Sequence, residues 1–359
     1  MTAPRVEVDL DKVAANTRVL VDRLAPLGIR ATGVTKAALG SPDIAAAMLR
    51  GGAHGLGDSR IENLARVRSA GIAAPLTLIR SPMASQAEAV VREADVSLNT
   101  EAAVLAALSS AAQRHRVSHG IVLMVELGDL REGLAAVDVV DAARRVGELP
   151  GLVLQGLGTN LACQSGVVPD QAKMDELSRL VEQVEVEIGR PLAVVSGGNS
   201  ANLAWALDTV DVGRIDDLRL GESILLGTEP LERTPIPGLH LDAFALVAEV
   251  IEAQRKPVQP WGSLAQTAFG DRPVRLGSGT IRQVIVALGR QDVDPDGLVP
   301  PPGTTILGAS SDHLVLDAGD HELAPGDELT FGLGYGALVR ALTSPFVATV
   351  VVGAAAAGS

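Results

Sequence analysis

The chain has 359 residues, 47% hydrophobic and 20% charged, so it can bury a large core and is too apolar to stay disordered. Its net charge of −13 excludes a basic nucleic-acid-binding face and gives no support to docking on an anionic membrane. A single cysteine, Cys163, excludes a disulfide framework and a zinc site with two or more thiolates, and with no membrane-length apolar run or signal-peptide core a cytoplasmic location is the default expectation.

In chain order, apolar runs at 30–35, 54–57, 76–79, 96–98, 121–127, 153–158, 193–196 and 218–221 read as strands, most followed by a helix-length segment. Ser41-Pro42 predicts an N-cap with proline at the first helical position, and Ser59-Arg-Ile-Glu62 reads as a capping box. After Pro169, residues Met174, Leu177, Leu180, Val181, Val184 and Ile188 recur at helical steps. Strands and helices alternating in this way predict a (β/α)8 TIM barrel. Beyond about residue 235 the texture changes. Strand-like runs at 244–251, 283–288, 305–316, 328–331 and 347–352 are separated by turn residues such as Asp294-Pro-Asp-Gly297. The expected division is a barrel over 1–235, with residues 1–10 available to pair with the second domain, and a mostly-β domain over 236–359.

Working residues of a TIM barrel sit at the C-terminal strand ends and in the loops beyond them. The sequence has four lysines, Lys12, Lys36, Lys173 and Lys256, and only Lys36 ends a predicted strand. A lysine on the inner rim is partly desolvated, which makes its amine a nucleophile able to form a Schiff base; an ordinary surface lysine is the competing reading. After the seventh strand, Ser196-Gly-Gly-Asn199-Ser200 opens a helix with small residues, which lets backbone N–H groups and the Ser200 hydroxyl approach a phosphate. Arg219-Leu-Gly221-Glu222 follows the eighth, and barrel phosphate sites are built from these two loops. Together with Lys36 they make a consistent site for pyridoxal 5'-phosphate. Arg131, after the fifth strand, offers a guanidinium for a carboxylate, or a salt bridge to Asp129. Gly158-Thr-Asn160-Leu-Ala-Cys163 follows the sixth, where Cys163 could equally be a small buried apolar residue.

The strings Gly33-Val-Thr-Lys36, Gly57-Asp-Ser-Arg-Ile-Glu-Asn63, Leu127-Gly-Asp-Leu-Arg-Glu-Gly133, Gly158-Thr-Asn-Leu-Ala-Cys163, Ser196-Gly-Gly-Asn-Ser200, Leu218-Arg-Leu-Gly-Glu222 and Gly308-Ala-Ser-Ser-Asp-His313 resemble, in order, those of fold-type III pyridoxal-phosphate enzymes. Within the alanine racemase-like superfamily the chain is similar to the ornithine racemases. The resemblance implies a homodimeric racemase of a free amino acid, ornithine favoured, with an active site shared between subunits. Lys36 would be the Schiff-base lysine and the acid/base on one face of the cofactor. Asn199, Ser200, Gly221 and Glu222 would lie at the phosphate end, Arg219 at the pyridine nitrogen, and Asn160 where alanine racemases carry a histidine against the ring. Arg131 would hold the substrate carboxylate.

The chain departs from alanine racemases in the second acid/base, a tyrosine there. Its one tyrosine, Tyr335, lies too late in the domain to match and reads as a packing residue. Ser311-Asp312 occupies the place of a Cys-Asp pair in the related ornithine decarboxylases, which implies that Asp312 meets the distal amine of the substrate. Ser311 or His313 would then lie near Cα, with Cys163 a third candidate for the second base. A strand histidine turned to the opposite face competes with this role for His313. Two other classes compete as well. A non-catalytic cofactor carrier would need only the barrel. A lyase would need either a late His/Cys metal pair, which is missing, or an acidic partner at the ring nitrogen, where Arg219 stands; no metal is expected.

Overall fold

Long buried apolar runs need neighbours on both faces, and in this protein they find them in a closed parallel barrel. The structure, a computed structural model, describes residues 3–270 and 277–353. It divides the chain into two units, one of Lys12–Leu241 and one of Met1–Asp11 with Asp242–Ser359.

The first strand, β1 (Arg5–Asp9), belongs to the second unit. The barrel strands are β2 (Arg30–Val34), β3 (Gly55–Asp58), β4 (Leu76–Leu78), β5 (Val96–Asn99), β6 (His119–Val125), β7 (Leu152–Thr159), β8 (Val194–Asn199) and β9 (Asp217–Leu220), and β9 pairs with β2 to close the ring. All seven residues of β6 are buried, the pattern of a strand covered on both faces. Helices α1 (Leu10–Leu24), α2 (Pro42–Arg50), α3 (Ile61–Ser69), α4 (Ala87–Glu93), α5 (Ala102–His115), α6 (Val139–Gly147), α7 (Gln171–Ile188), α8 (Asn202–Asp208) and α9 (Glu222–Leu226) alternate with them. In α7 the residues Met174, Leu177, Leu180, Val181 and Val184 form the buried face. Between Lys12 and Leu241 the only aromatic residue is Trp205, so this core is packed from Leu, Val, Ile, Ala and Met.

Local details correct the sequence reading. The Ser59 capping box does not form: α3 begins at Ile61, and the Asp58 carboxylate instead accepts the Arg60 amide at 2.9 Å and the Asn63 side-chain amide at 3.0 Å. Ser41 precedes α2 at the predicted place but makes no side-chain cap bond. Ile236 donates its amide to the Gly227 carbonyl and Thr228 bridges Pro235, so the chain stays with the barrel to Leu241, past the expected link.

The second unit is a mostly antiparallel sheet. Its strands are β10 (Phe244–Pro257), β11 (Thr280–Val286), β12 (Leu298–Val299), β13 (Thr305–Ala309), β14 (Leu314–Asp317), β15 (Glu328–Leu333) and β16 (Ala348–Val352), in the order β12-β15-β10-β11-β14-β13. β1 joins this sheet, antiparallel to β10 and parallel to β16. The fully buried rings Phe244 and Phe331 belong to its core. The run read as one strand over 305–316 is a hairpin: β13 and β14 pair with each other and residues 310–313 turn between them. One helix here escaped the sequence reading, α10 (Tyr335–Thr343), which buries Ala337, Leu338, Ala341 and Leu342. Among the described residues no helix is long and apolar enough to cross a membrane.

Candidate active site

The glycine-rich end of β8 is held by one buried side chain. Asn202 accepts the Asn199 amide on Oδ1 at 3.2 Å and donates Nδ2 to the Gly197 carbonyl at 2.8 Å. Gly198 has φ +141°, and a Cβ there would lie 2.1 Å from Asn202 Oδ1, so only glycine fits. The strand end delivers Ser200, buried, whose Oγ accepts the amides of Gly221 and Ser223, each at 3.3 Å, and lies 3.0 Å from Ser223 Oγ. Two hydroxyls and two amides from two strand-to-helix turns thus converge. At 3.3 Å both amide bonds are longer than the usual 2.9–3.0 Å, and donors so arranged suit a phosphate. Glu222 starts the second helix; burial pushes its carboxyl pKa up, while Arg233 and Lys36 pull it back.

Arg219 projects into the barrel beside this cluster. It is buried and donates Nη1 to Ser196 Oγ at 2.5 Å and Nη2 to the Thr159 carbonyl at 2.7 Å. Burial lowers its pKa and Asp217 acts in the opposite direction; starting so high, the guanidinium keeps its proton. Asn160 follows β7. Its Oδ1 accepts from Asn199 Nδ2 at 3.0 Å, and its own Nδ2 is buried with no partner among the described residues. The orientation is fixed: Asn199 Nδ2 also donates to the Leu161 carbonyl and Asn199 Oδ1 accepts the Ala201 amide, so Asn160 must turn its oxygen toward Asn199.

Lys36 begins a short 3-10 turn at the end of β2. It is exposed, against the expected partial desolvation. The residue before it, Thr35, is fully buried and donates to Asp58 Oδ2 at 2.8 Å, which ties the lysine's backbone to the end of β3. Burial pushes the Asp58 carboxyl up against four opposing hydrogen bonds.

The loop after β6 carries Arg131, which forks onto its neighbour Glu132. The salt bridge to Asp129 considered from the sequence is not made, because Asp129 is committed elsewhere. Its buried carboxylate accepts the backbone amides of Cys163 (3.1 Å), Gln164 (2.9 Å), Ser165 (3.0 Å) and Val167 (3.4 Å). Burial pushes this carboxyl up, but the amides together outweigh it and hold it below the usual range. Asp129 therefore clips the β6 loop to the β7 loop. Cys163 is exposed, not a buried apolar filler, and Asn199 Nδ2 donates to its sulfur at 3.5 Å.

Ser311, Asp312 and His313 form a cluster of their own in the β13–β14 turn of the second unit. Asp312 Oδ1 lies 2.8 Å from His313 Nδ1 and accepts from Ser311 Oγ at 3.2 Å and Ser310 Oγ at 3.3 Å. The His313 contact leads in holding the carboxyl pKa down. The loop at Gly289 supports the turn so closely that a Cβ on Gly289 would meet the Asp312 amide at 2.2 Å. His313 is thus part of a turn and bonded to Asp312, not alternating along a strand.

Sequence reasoning overlooked Ser223 and Asp217, and it named Asp129 and Ser196 without the bonds they make here, to the backbone amides of residues 163–167 and to Asp217. Asp217 was within reach: two residues before Arg219 on one strand, it must share its face.

The buried Asn160 donor, the amide-and-hydroxyl cradle at Ser200, the buried guanidinium and the strand-end lysine fit pyridoxal phosphate, and a (β/α)8 barrel carrying this set with a separate β domain defines a barrel-type pyridoxal-phosphate enzyme. The family described as alanine racemase, N-terminal domain, matches residues 8–230. A lysine racemase from Thermotoga maritima is 35% identical over 353 residues, 98% of this chain and 99% of its own. An ornithine racemase from Acetoanaerobium sticklandii is 34% identical over 349 residues, 96% and 98% of the two chains. An alanine racemase from Streptomyces coelicolor A3(2) shares the fold with a TM-score of 0.77 at 21% identity, covering 97% of this chain and 98% of that one. The chain belongs to the alanine racemase N-terminal domain family, and it is a pyridoxal-phosphate-dependent amino-acid racemase.

Proposed function

We propose that the chain interconverts the L- and D-forms of a free cationic amino acid, ornithine first and lysine next. The observation that carries this reading is the nearly full-length match to two racemases named for diamino acids, at 35% and 34% identity. Ornithine is put first by the motif resemblance.

Bound pyridoxal phosphate supplies an electron-withdrawing ring that makes the substrate Cα–H acidic. In this proposal Lys36 carries the cofactor and moves the proton at Cα on one face. Asn199, Ser200, Gly221 and Glu222 hold the phosphate end, the latter two through the backbone, and Asn160 directs its unpartnered Nδ2 at the ring system. Arg219 would donate to the ring nitrogen and, as arginine does not release its proton, would keep that nitrogen unprotonated, a tuning that suits proton removal and return at Cα. Arg131, swung from Glu132, holds the substrate carboxylate. The opposite face needs a second acid/base. His313 is assigned to it, with Ser311 and Cys163 as alternatives, and Asp312 to the distal amine. The proposal includes a homodimer in which a second copy supplies this hairpin turn, and a cytoplasmic location.

Purified protein incubated with L-ornithine, L-lysine and L-alanine in heavy water tests the reading. Exchange of the α-proton with inversion is expected on the diamino acids and about a hundredfold more slowly on alanine, which lacks the one charge-assisted hydrogen bond to the distal amine. Equal turnover of alanine would reject the substrate class.

A further inference from the structure

Arg219 carries its charge in a barrel whose opposite wall is apolar: Leu98, Val122 and Met124 pack there with Ile79 and Val96. Between the two walls lies a cavity of about 240 Å³. A lone guanidinium facing it would be costly to bury, and among the described residues no carboxylate forms an ion pair with Arg219. Asp217 lies one step removed. It points into the barrel from β9, between β8 and β2, and is 6% exposed. Ser196 of β8 donates to its Oδ2 at 2.5 Å, and Thr32 of β2 donates to its Oδ1 at 2.6 Å.

The direction of this chain is fixed. Arginine has only donors, so Ser196 Oγ must accept from Nη1 and send its own hydrogen to Asp217. Each link has a charged end, which strengthens it, and the order cannot reverse while Asp217 is ionised. The carboxylate thus offsets the guanidinium charge through one hydroxyl, without covering the N–H groups that Arg219 would need elsewhere. We infer that Asp217 is a positioning residue for the racemase: acting through Ser196, it sets the plane of Arg219 and balances its charge beneath the cofactor. This rests on the reading that Arg219 meets the ring nitrogen.

The holoenzyme variants Asp217→Asn, Ser196→Ala, Ser196→Thr, Thr32→Val and Arg219→Ala provide the test, read by the absorbance of the bound cofactor across pH, by cofactor affinity from titration of the apoprotein, and by melting temperature. Asp217→Asn and Ser196→Ala should displace the midpoint of the absorbance titration and weaken cofactor binding by about tenfold or more, the loss of one charge-assisted hydrogen bond. Ser196→Thr keeps the hydroxyl and should restore the wild-type spectrum. Thr32→Val cuts a bond of similar length to the other oxygen of Asp217 and should leave the spectrum in place. If Asp217→Asn does not fold, the Ser196→Ala and Ser196→Thr pair decides. An unchanged spectrum in Ser196→Ala, or a Thr32→Val shift as large, would overturn the inference and leave Asp217 as structural glue. Should Arg219→Ala itself leave the absorbance untouched, the reading of Arg219 at the ring fails instead.

Discussion

Replacing Asp129 by asparagine changes almost no volume but strips the β6–β7 clip of its charge and of one accepting oxygen. Four backbone amides now converge on the two oxygens, Cys163 and Gln164 on one, Ser165 and Val167 on the other. An asparagine NH2 would face two of these donors, so two bonds to a charged group are lost at about 1.5–3 kcal/mol each, about 3–6 kcal/mol locally before the loop relaxes toward water. Relaxation recovers much of this. If about 1.4–2.8 kcal/mol must be restored each time Arg131 is brought onto the substrate carboxylate, KM rises about 10- to 100-fold. Chiral chromatography of ornithine and lysine turnover gives KM and kcat, and hydrogen exchange of residues 163–167 reports the clip itself. The expected pattern is a raised KM, faster exchange at these amides, and an unaltered cofactor spectrum, since the Arg219 bonds are not touched. Wild-type KM with accelerated exchange would refute the link between the clip and substrate binding.

His119 should make the protein acid-labile. Burial pushes its pKa down from 6.5 to about 4, so the unfolded chain takes up the proton first; stability contributed by the neutral ring is intact above pH 6.5 and is lost as pH drops through 6.5 toward 4, a loss of about 3 kcal/mol by the bottom of that window. Chemical denaturation of wild type and His119→Gln between those pH values checks this, the variant losing that part of the slope. Asp312→Ala should cut kcat/KM for ornithine and lysine about a hundredfold more than for alanine, the loss of one charge-assisted hydrogen bond to the distal amine; equal losses on all three would remove Asp312 from specificity. Borohydride reduction and peptide mapping should place the cofactor label on Lys36, and label on Lys12, Lys173 or Lys256 would contradict the assignment.

The barrel was legible because its strands are short uninterrupted apolar runs whose ends carry polar residues, and the predicted runs overlap all eight closed strands. The hairpin at 310–313 was not, since apolar residues on both sides of the turn read as one strand. Nor was the α3 cap: Ser59 has the standard spacing, but the helix starts only at Ile61, and Asp58 at the end of β3 takes the Arg60 amide. The candidate site was readable as a set of strand ends. Its supporting bonds were not, because Ser196 and Thr32 meet Asp217 only when β8, β9 and β2 become neighbours on closing the ring. Asp129 was read as a partner for Arg131 because sequence proximity suggests side-chain pairing, whereas backbone amides from a loop more than thirty residues later claim it.

The aromatic poverty of the barrel has an optical consequence. Trp205 stands in α8, the helix that follows Ser200, with its indole N–H on Gln171 Oε1 at 3.0 Å. The other tryptophan, Trp261, is exposed in the second unit, which also holds the chain's one tyrosine, half-buried at the start of α10. Trp261→Phe therefore leaves a single indole emitter, built into the element next to the cluster of donors at Ser200. An acceptor chromophore arriving at Ser200 would quench it by energy transfer, so loading of the apoprotein could be timed from the protein's own ultraviolet emission, without a label and without turnover.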